Sequence, residues 1–295
     1  MDLANPRWTE PASALYRFLL TIAPQAPLDL PDFSGSMLRG VFGHALLRNS
    51  CRCGHTEQHL PDCSYAHVFE GAIQDQQRSS PSTTPAPRFV ITPPPAGTIK
   101  DGETFEFEIT LFDLNKYQLA EVKAAWYAAC RRGLGSPPVR CTLLEMEEIS
   151  CPSPALRDEI TLNLKTPWLI KRKGRPLRAH ACRPEDILLA INRRQLLLNQ
   201  HYNLQLPTTD NQTLLDLAAN LTYRAELQYV TWQRYSARQG KEHQLSGLLG
   251  QIHLQHTDAE GLTPISTLLA TGTLLHAGGK TAFGLGAYDL KFHTP

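Results

Sequence analysis

Apolar residues gather in short dense runs along this chain, and prolines and glycines cut the runs apart. From Ala14 to Ala23 the positions Leu15, Phe18, Leu19, Leu20 and Ile22 are too dense for a half-solvated strand. The segment therefore reads as a buried strand, broken by Pro24 to Pro31. Ser34 or Ser36 is placed to cap a helix running to about Asn49. Arg88 to Thr92 reads as a strand stopped by Pro93, Pro94 and Pro95. Glu103 to Phe112 alternates charged residues with Phe105, Phe107, Ile109 and Leu111, the pattern of a strand with one wet face. Gln118 to Arg132 is helical, closed by Gly133 and Gly135, and Val139 to Ile149 is a strand. Strand, helix, two strands, helix, strand is the ferredoxin-like order.

The second half repeats that order although its residues do not visibly align with the first. Glu159 to Leu164 is a strand, Glu185 to Tyr202 a helix, with a second helix at Gln212 to Ala219. Leu227 to Ser236 and Leu248 to Gln255 are strands, Thr263 to His276 a helix opened by Thr263-Pro264, and Gly284 to Phe292 a last strand. The expected fold is α+β: tandem ferredoxin-like domains with four-stranded antiparallel sheets, at 1–150 and 151–295. The linker would lie at Ser150 to Leu156, around Pro152 and Pro154. The alternative is one mixed α+β domain with inserts. An irregular insertion at about 50–87 interrupts the first domain; it is rich in Cys and His and ends in the loop-forming run Ser79 to Pro85.

A chain of 295 residues suits two domains of ordinary size. No apolar run reaches membrane-spanning length, and Met1 to Glu10 lacks the basic and apolar regions of a signal peptide. Seven cysteines without regular pairing fit a reducing compartment, so the expected location is the cytoplasm, away from any membrane. The net charge of +1 argues against indiscriminate coating of nucleic acid, but its distribution is uneven. Residues 1–150 carry 13 basic and 17 acidic side chains, and residues 151–295 carry 16 and 11. A polyanion is therefore drawn to the second half.

The densest basic cluster holds Lys171, Arg172, Lys173, Arg175 and Arg178, followed by His180 and Arg183, with Arg193 and Arg194 placed to extend it. Gly174 and Pro176 make it a solvated loop, either plain wet surface or a phosphate contact that gives affinity without reading sequence. Cys51, Cys53, His55, His59, Cys63 and His67 crowd a second cluster. Three thiols and one imidazole close a tetrahedral zinc site, and Cys51, Cys53, His55 and Cys63 are the candidate set; idle or buried cysteines are the plain alternative. No Asp/Glu cluster suggests a two-metal nuclease.

On the first helix, Leu38, Val41, Phe42, Ala45 and Leu46 form the core face, with Gly40 and Gly43 on the far side. His44 and Arg48 share one flank and Arg39 lies on the other. A histidine there is suited to proton exchange near neutral pH and Arg48 to holding a phosphate; a surface ring packed on Met37 is the alternative. The most distinctive stretch is His276-Ala277-Gly278-Gly279-Lys280-Thr281-Ala282-Phe283-Gly284-Leu285-Gly286-Ala287-Tyr288. Glycines allow sharp turns and close backbone approach, and exposed N–H groups beside a lysine suit phosphate. It is neither a Walker loop nor a dinucleotide fingerprint, because it follows a helix and opens none. His276 either faces the same site as Lys280 or simply caps its helix at the negative end of the dipole.

This stretch resembles the C-terminal glycine-rich loop of the RAMP superfamily, and specifically of the CRISPR-associated endoribonucleases that process precursor CRISPR RNA. Their motif runs histidine, a Val/Ala-Gly step, Lys, Thr, then Phe-Gly-Leu-Gly; in this chain Lys280 comes one position late. Arg234 to Gln239 resembles the family's polar strand end, Met37 to Leu46 its first helix, and Cys63 to Glu70 its Cys-x-Tyr region. The resemblance implies a catalytic histidine in the first helix, where His44 is the only one. It implies a metal-independent cut of repeat RNA by 2′-hydroxyl attack, leaving a 2′,3′-cyclic phosphate and a 5′-hydroxyl, with no cofactor for catalysis. His44, His276 and Lys280 are then the candidates for base, acid and cation, assisted by Tyr16 or Tyr235. The RNA-binding set is Arg39, Arg48, the five cations from Lys171 to Arg178, Arg238, Gly278, Gly279, Thr281, Gly284 and Gly286. Partners would be precursor CRISPR RNA and CRISPR effector-complex subunits. The rival readings are a non-cleaving RAMP subunit that binds the guide RNA, and a zinc-stabilised RNA-binding protein outside CRISPR biology.

Overall fold

The computed structural model describes residues 15–53, 59–60, 63–71, 85–151, 159–202, 204–236, 241–256 and 262–292. The first half contains β1 (Leu15–Pro24), β2 (Leu28–Leu30), α1 (Ser34–Ser50), a single π-type turn (Ala66–Glu70), β3 (Phe89–Thr92), β4 (Gly97–Ile99), β5 (Phe105–Phe112), α2 (Lys116–Arg132) and β6 (Cys141–Glu148). The second contains β7 (Glu159–Trp168), β8 (Lys171–Arg172), β9 (Arg175–Pro176), α3 (Pro184–His201), α4 (Asn211–Ala219), β10 (Leu221–Ser236), β11 (Lys241–His256), α5 (Thr263–Leu275) and β12 (Tyr288–Phe292).

Each half builds one four-stranded antiparallel sheet, ordered β3-β5-β1-β6 and β10-β11-β7-β12. Setting aside the small ribbons β2-β4 and β8-β9, both sheets place the first and third strands of their half at the centre and the second and fourth at the edges. This is the expected tandem ferredoxin-like architecture. The chain passes from the first sheet to the second between Glu148 and Glu159.

Local chemistry sets the elements. Leu20 and Ile22 of β1 lie opposite Phe107 and Phe105 of β5, and all four are buried. Asn115 caps α2: its side chain accepts from the N–H groups of Tyr117 and Gln118, each at 3.0 Å, and the Gln118 side chain accepts from Asn115 N–H at 3.1 Å. α1 departs from expectation. It begins at Ser34 without a side-chain cap, and the Ser34 hydroxyl donates to the Pro94 carbonyl at 3.1 Å, tying the helix start to the prolines after β3. β10 and β11 are longer than the apolar runs suggest, pairing from Leu221↔His256 to Ser236↔Lys241. Their added length alternates half-buried Tyr223 and Ala225 with polar residues, a weak signal beside a helix end.

In the first core the Phe42 ring stacks on Trp126 at 4.9 Å and meets Phe89 edge-on at 5.2 Å. Two further clusters join the halves. Phe112 packs with Leu198, Tyr202, Leu274 and Leu275. Phe33, just before α1, packs with Leu245 and Leu285 and stacks on Trp232 at 5.1 Å. The start of α1 is thereby held beside the turn between α5 and β12. Among the described residues no helix is long and apolar enough to cross a membrane.

Candidate functional site

The glycine-rich turn is built around close approaches to the protein itself. Gly278, Gly284 and Gly286 have φ of +78°, +88° and +82°, which favour a residue without Cβ. A Cβ on Gly286 would lie 1.9 Å from the Ala277 carbonyl oxygen, and one on Gly284 would lie 2.9 Å from that of Ile91 in β3. Several loop N–H groups are spent internally: Ala277 to the Gly286 carbonyl, Gly279 to Leu169, Gly284 to Thr281 and Gly286 to Pro167, at 2.8–3.0 Å. Gly284, Gly286 and Thr281 are buried. These three therefore do not offer the open phosphate cradle that the sequence suggests; they seat the turn on β3 and β7. Gly278 and Gly279 are half-buried, and Lys280 is exposed, its ammonium donating to the Gln244 carbonyl at 3.3 Å.

His276 also departs from expectation. Its ring is fully buried, and both nitrogens are occupied. Nδ1 lies 3.1 Å from the Leu285 carbonyl, which can only accept, so Nδ1 carries the proton; Nε2 then accepts from the Thr92 hydroxyl at 3.0 Å. Burial pushes its pKa down to about 3, partly opposed by the Leu285 hydrogen bond. Neither ring nitrogen is open to solvent, against the expected catalytic role, and the ring is structural: His276 bolts the turn to β3. Because the folded form stays neutral while the unfolded one titrates at its ordinary value of 6.5, the contribution is complete above that pH and is lost between there and about 3. Within that window the fold should lose about 1.4 kcal/mol per pH unit from this group. Urea midpoints at decreasing pH should fall less steeply for His276→Gln than for the parent; equal slopes would refute the assignment.

On α1 the inward side docks the turn. A Cβ on Gly35 would lie 2.3 Å from the Phe283 carbonyl oxygen, and the Arg39 guanidinium sits between the rings of Phe283 and Phe69, at 4.3 and 4.4 Å. Arg39 is thus an aromatic-sandwiched tie rather than the open phosphate ligand expected. His44 follows Gly35 by nine residues, which at about 100° per residue places it on the opposite side of the helix. His44 and Arg48 are both exposed and lie one turn apart. The expected trio therefore does not form one cluster: His276 is walled in, His44 faces outward, and Lys280 leans on β11. Tyr16 is half-buried in β1 and stacks on Phe18 at 6.4 Å, while Tyr235 lies in β10.

The basic segment is a β-hairpin, β8-β9, turning at Lys173 and Gly174 (φ +50° and +79°). Lys171, Lys173 and Arg175 are exposed on it. Arg172 is committed to the protein: its guanidinium forms a forked ion pair with Asp186, with Nε to Oδ1 at 2.9 Å, and donates to the Ala181 carbonyl at 3.2 Å. Arg178 covers the Tyr229 ring at 4.0 Å. Arg193 is exposed, but Arg194 is buried, donates to the Leu275 carbonyl at 3.3 Å and has its pKa pushed down to about 10 by burial, so it does not extend the patch. Arg238 and His55 lie outside the described residues. Among the described residues, the imidazole beside the thiols of Cys51, Cys53 and Cys63 is that of His59.

Sequence reasoning missed Thr92, Trp232 and Asp186. Thr92 and Trp232 act across the two halves, which periodicity within one half does not report. Asp186 was visible three residues after Arg183 at a helix start, the spacing of an N-terminal cap, and the carboxylate accepts from Arg183 N–H at 2.9 Å.

Comparison with known proteins places this geometry. No curated protein matches the chain in sequence. Its fold resembles Thermus thermophilus Cas6, both in a structure of that protein (TM-score 0.55, 16% identity, 96% of this chain and 100% of the other) and in a product complex (0.60, 16%, 94% and 100%). It also resembles a Cas6-related protein from Pyrococcus furiosus (0.54, 12%, 95% and 100%). A family model described as an N-terminal domain matches residues 13–162, spanning the first sheet. A second, described as the CRISPR-associated endoribonuclease Cas6, matches residues 162–288, from β7 through the glycine-rich turn. Through a Cas6 endoribonuclease domain at residues 162–288 and the fold of solved Cas6 structures along the whole chain, the protein is similar to the CRISPR-associated Cas6 endoribonucleases.

Proposed function

We propose that this chain cuts the repeat of a precursor CRISPR RNA at one site, without a metal ion in the reaction, and keeps the product for effector-complex subunits in the cytoplasm. The observation that carries the reading is the exposed pair His44 and Arg48 on the outward flank of α1, whose inward flank docks the glycine-rich turn. Histidine is the side chain whose ordinary titration range lies near neutrality. His44 takes the proton of the ribose 2′-hydroxyl, the 2′ oxygen attacks phosphorus, and the bond to the 5′ oxygen breaks as that oxygen takes a proton from solvent water. Arg48 stabilises the charge that develops on the phosphoryl oxygens. Lys280 contacts a phosphate further along the strand. Product retention is supported by the similar Thermus Cas6, whose structure is that of a product complex.

The test is incubation of end-labelled repeat RNA with the pure protein in EDTA, with thermal stability followed in parallel. Cleavage should persist and the upstream fragment should end in a cyclic phosphate. A strict magnesium requirement, or a 3′-hydroxyl end, would sink the mechanism. If no repeat RNA is cut while RNA still binds, the non-cleaving guide-binding reading takes its place.

The hairpin β8-β9 supplies affinity. Replacing Lys171, Lys173 and Arg175 together with Ala should weaken RNA binding and flatten its salt dependence by about 0.7–0.9 logarithmic units per lost phosphate contact. Arg172→Ala should chiefly loosen the hairpin, because its guanidinium is engaged with Asp186. Filter-binding titrations across a salt series separate these outcomes; an unchanged slope in the triple variant would assign the hairpin to ordinary surface.

A further inference from the structure

We propose that Cys51, Cys53, His59 and Cys63 bind one zinc ion in a closed structural site that fastens the C-terminal end of α1 to the segment around Ala66–Glu70. Cys51 is the residue at which α1 ends, and its N–H donates to the Leu47 carbonyl at 3.1 Å. His59 Nδ1 lies 3.5 Å from the Sγ of Cys51 and 3.5 Å from the Sγ of Cys63. One ring nitrogen cannot point a proton, or a single lone pair, well at both sulfurs. Equal distances to both suit a shared centre. Zinc–sulfur bonds of about 2.3 Å and zinc–nitrogen bonds of about 2.0–2.1 Å, at tetrahedral angles, give N···S edges of about 3.5 Å. All four ligand atoms lie within 4.8 Å of one another, and the cluster draws in toward edges of about 3.5–3.8 Å when it closes on the ion.

The surroundings fit the same reading. His59 Nε2 faces the Glu70 carboxylate at 3.7 Å, the carboxylate–histidine arrangement that orients a metal-bound imidazole. Leu60 N–H donates to Cys53 Sγ at 3.2 Å, a contact that favours a thiolate sulfur. None of the three cysteines is in a disulfide. Cys63 is buried in the first core, against which Cys51 and Cys53 pack, while Leu60 is 55% exposed. With four protein ligands the site leaves no open position for substrate, so its role is structural. Its reach is toward α1: the ring of Phe69, on the fastened segment, lies so close to Gly43 that a Cβ there would come within 2.3 Å of it, and the same ring underlies Arg39. On binding, the three thiols release their protons to solvent.

The experiment measures metal in the purified full chain after exhaustive dialysis, and then follows cobalt(II) added to metal-stripped protein. About one zinc per chain is expected. Cobalt should give tetrahedral d–d bands and a thiolate charge-transfer band, both displaced by zinc and not by magnesium. His59→Ala and Cys53→Ser should lose the bands, while His55→Ala should keep them. Cys63 is buried and its variant can fail to fold, so the half-buried Cys53 carries the test, with circular dichroism confirming the fold. Folded parent protein that takes up neither metal, or a disulfide among these cysteines in non-reducing mass spectrometry, would overturn the proposal. Loss of the bands in His55→Ala with retention in His59→Ala would overturn the ligand set.

Discussion

Replacing His44 with Ala should slow single-turnover cleavage of repeat RNA by about 10²–10⁴-fold, the usual contribution of a proton-transfer group, with affinity changed by no more than a few-fold. The size follows from chemistry rather than packing. His44 is exposed on α1, so truncating it opens no cavity and breaks no buried hydrogen bond. Loss of activity with an unchanged melting temperature therefore reports on the reaction. Added imidazole should restore part of the rate, since an exposed position admits a small base. Arg48→Ala, one turn along the same flank, should also lower the rate, without rescue by imidazole. His276→Ala supplies the contrast. It removes a buried ring that holds Thr92 and the Leu285 carbonyl, so its activity loss should track a fall in stability. If His44→Ala cuts at the parental rate, the outward flank of α1 is not where the chemistry occurs.

That contrast shows where the chain could be read and where it could not. The two sheets follow from apolar density and from breaks such as Pro93 to Pro95, because each ferredoxin-like half buries its own strands and periodicity reports burial within a half. α2 begins at Lys116, two residues before the expected Gln118, because Asn115 and Gln118 form a local capping box that the apolar pattern does not report. What failed is what depends on the neighbour across the interface. His276 looks like a reactive residue at a helix end; its burial comes from Thr92 on β3, 184 residues earlier. Arg194 sits beside exposed Arg193 in the chain and is buried because its helix face meets the end of α5. Arg39 and Arg172 read as free cations, yet an aromatic sandwich and a carboxylate occupy them. A cation's partner is a tertiary fact that composition cannot supply.

Two glycine-to-alanine changes in this protein should move stability in opposite directions, and together they ask whether RNA uses the surface of α1. Gly286 has φ of +82°, and an added Cβ would lie 1.9 Å from the Ala277 carbonyl oxygen and 2.8 Å from the Ala277 nitrogen. The left-handed backbone alone costs a residue with Cβ about 1–3 kcal/mol. The clash is with backbone, and Ala277 N–H already donates to the Gly286 carbonyl at 3.0 Å, so relief must pull the two ends of the turn apart. The loss for Gly286→Ala should therefore exceed about 4 kcal/mol, the exceptional end of single substitutions. It should carry RNA binding with it, since Lys280 depends on the same turn. Gly40 is the opposite case. It lies within α1, and a Cβ there would meet nothing within 4 Å. Gly40→Ala should raise stability by about 0.5–1 kcal/mol, because alanine loses less backbone freedom on folding. Urea midpoints decide both signs. Gly40→Ala then separates stability from function: a more stable protein with weakened RNA binding would show that the strand passes close over this helix beside His44. A more stable protein with unchanged binding and cleavage would mean that the RNA backbone keeps clear of Gly40. A Gly286→Ala variant as stable as the parent would mean that the turn rearranges freely and that its glycines are not what seats it on β3 and β7.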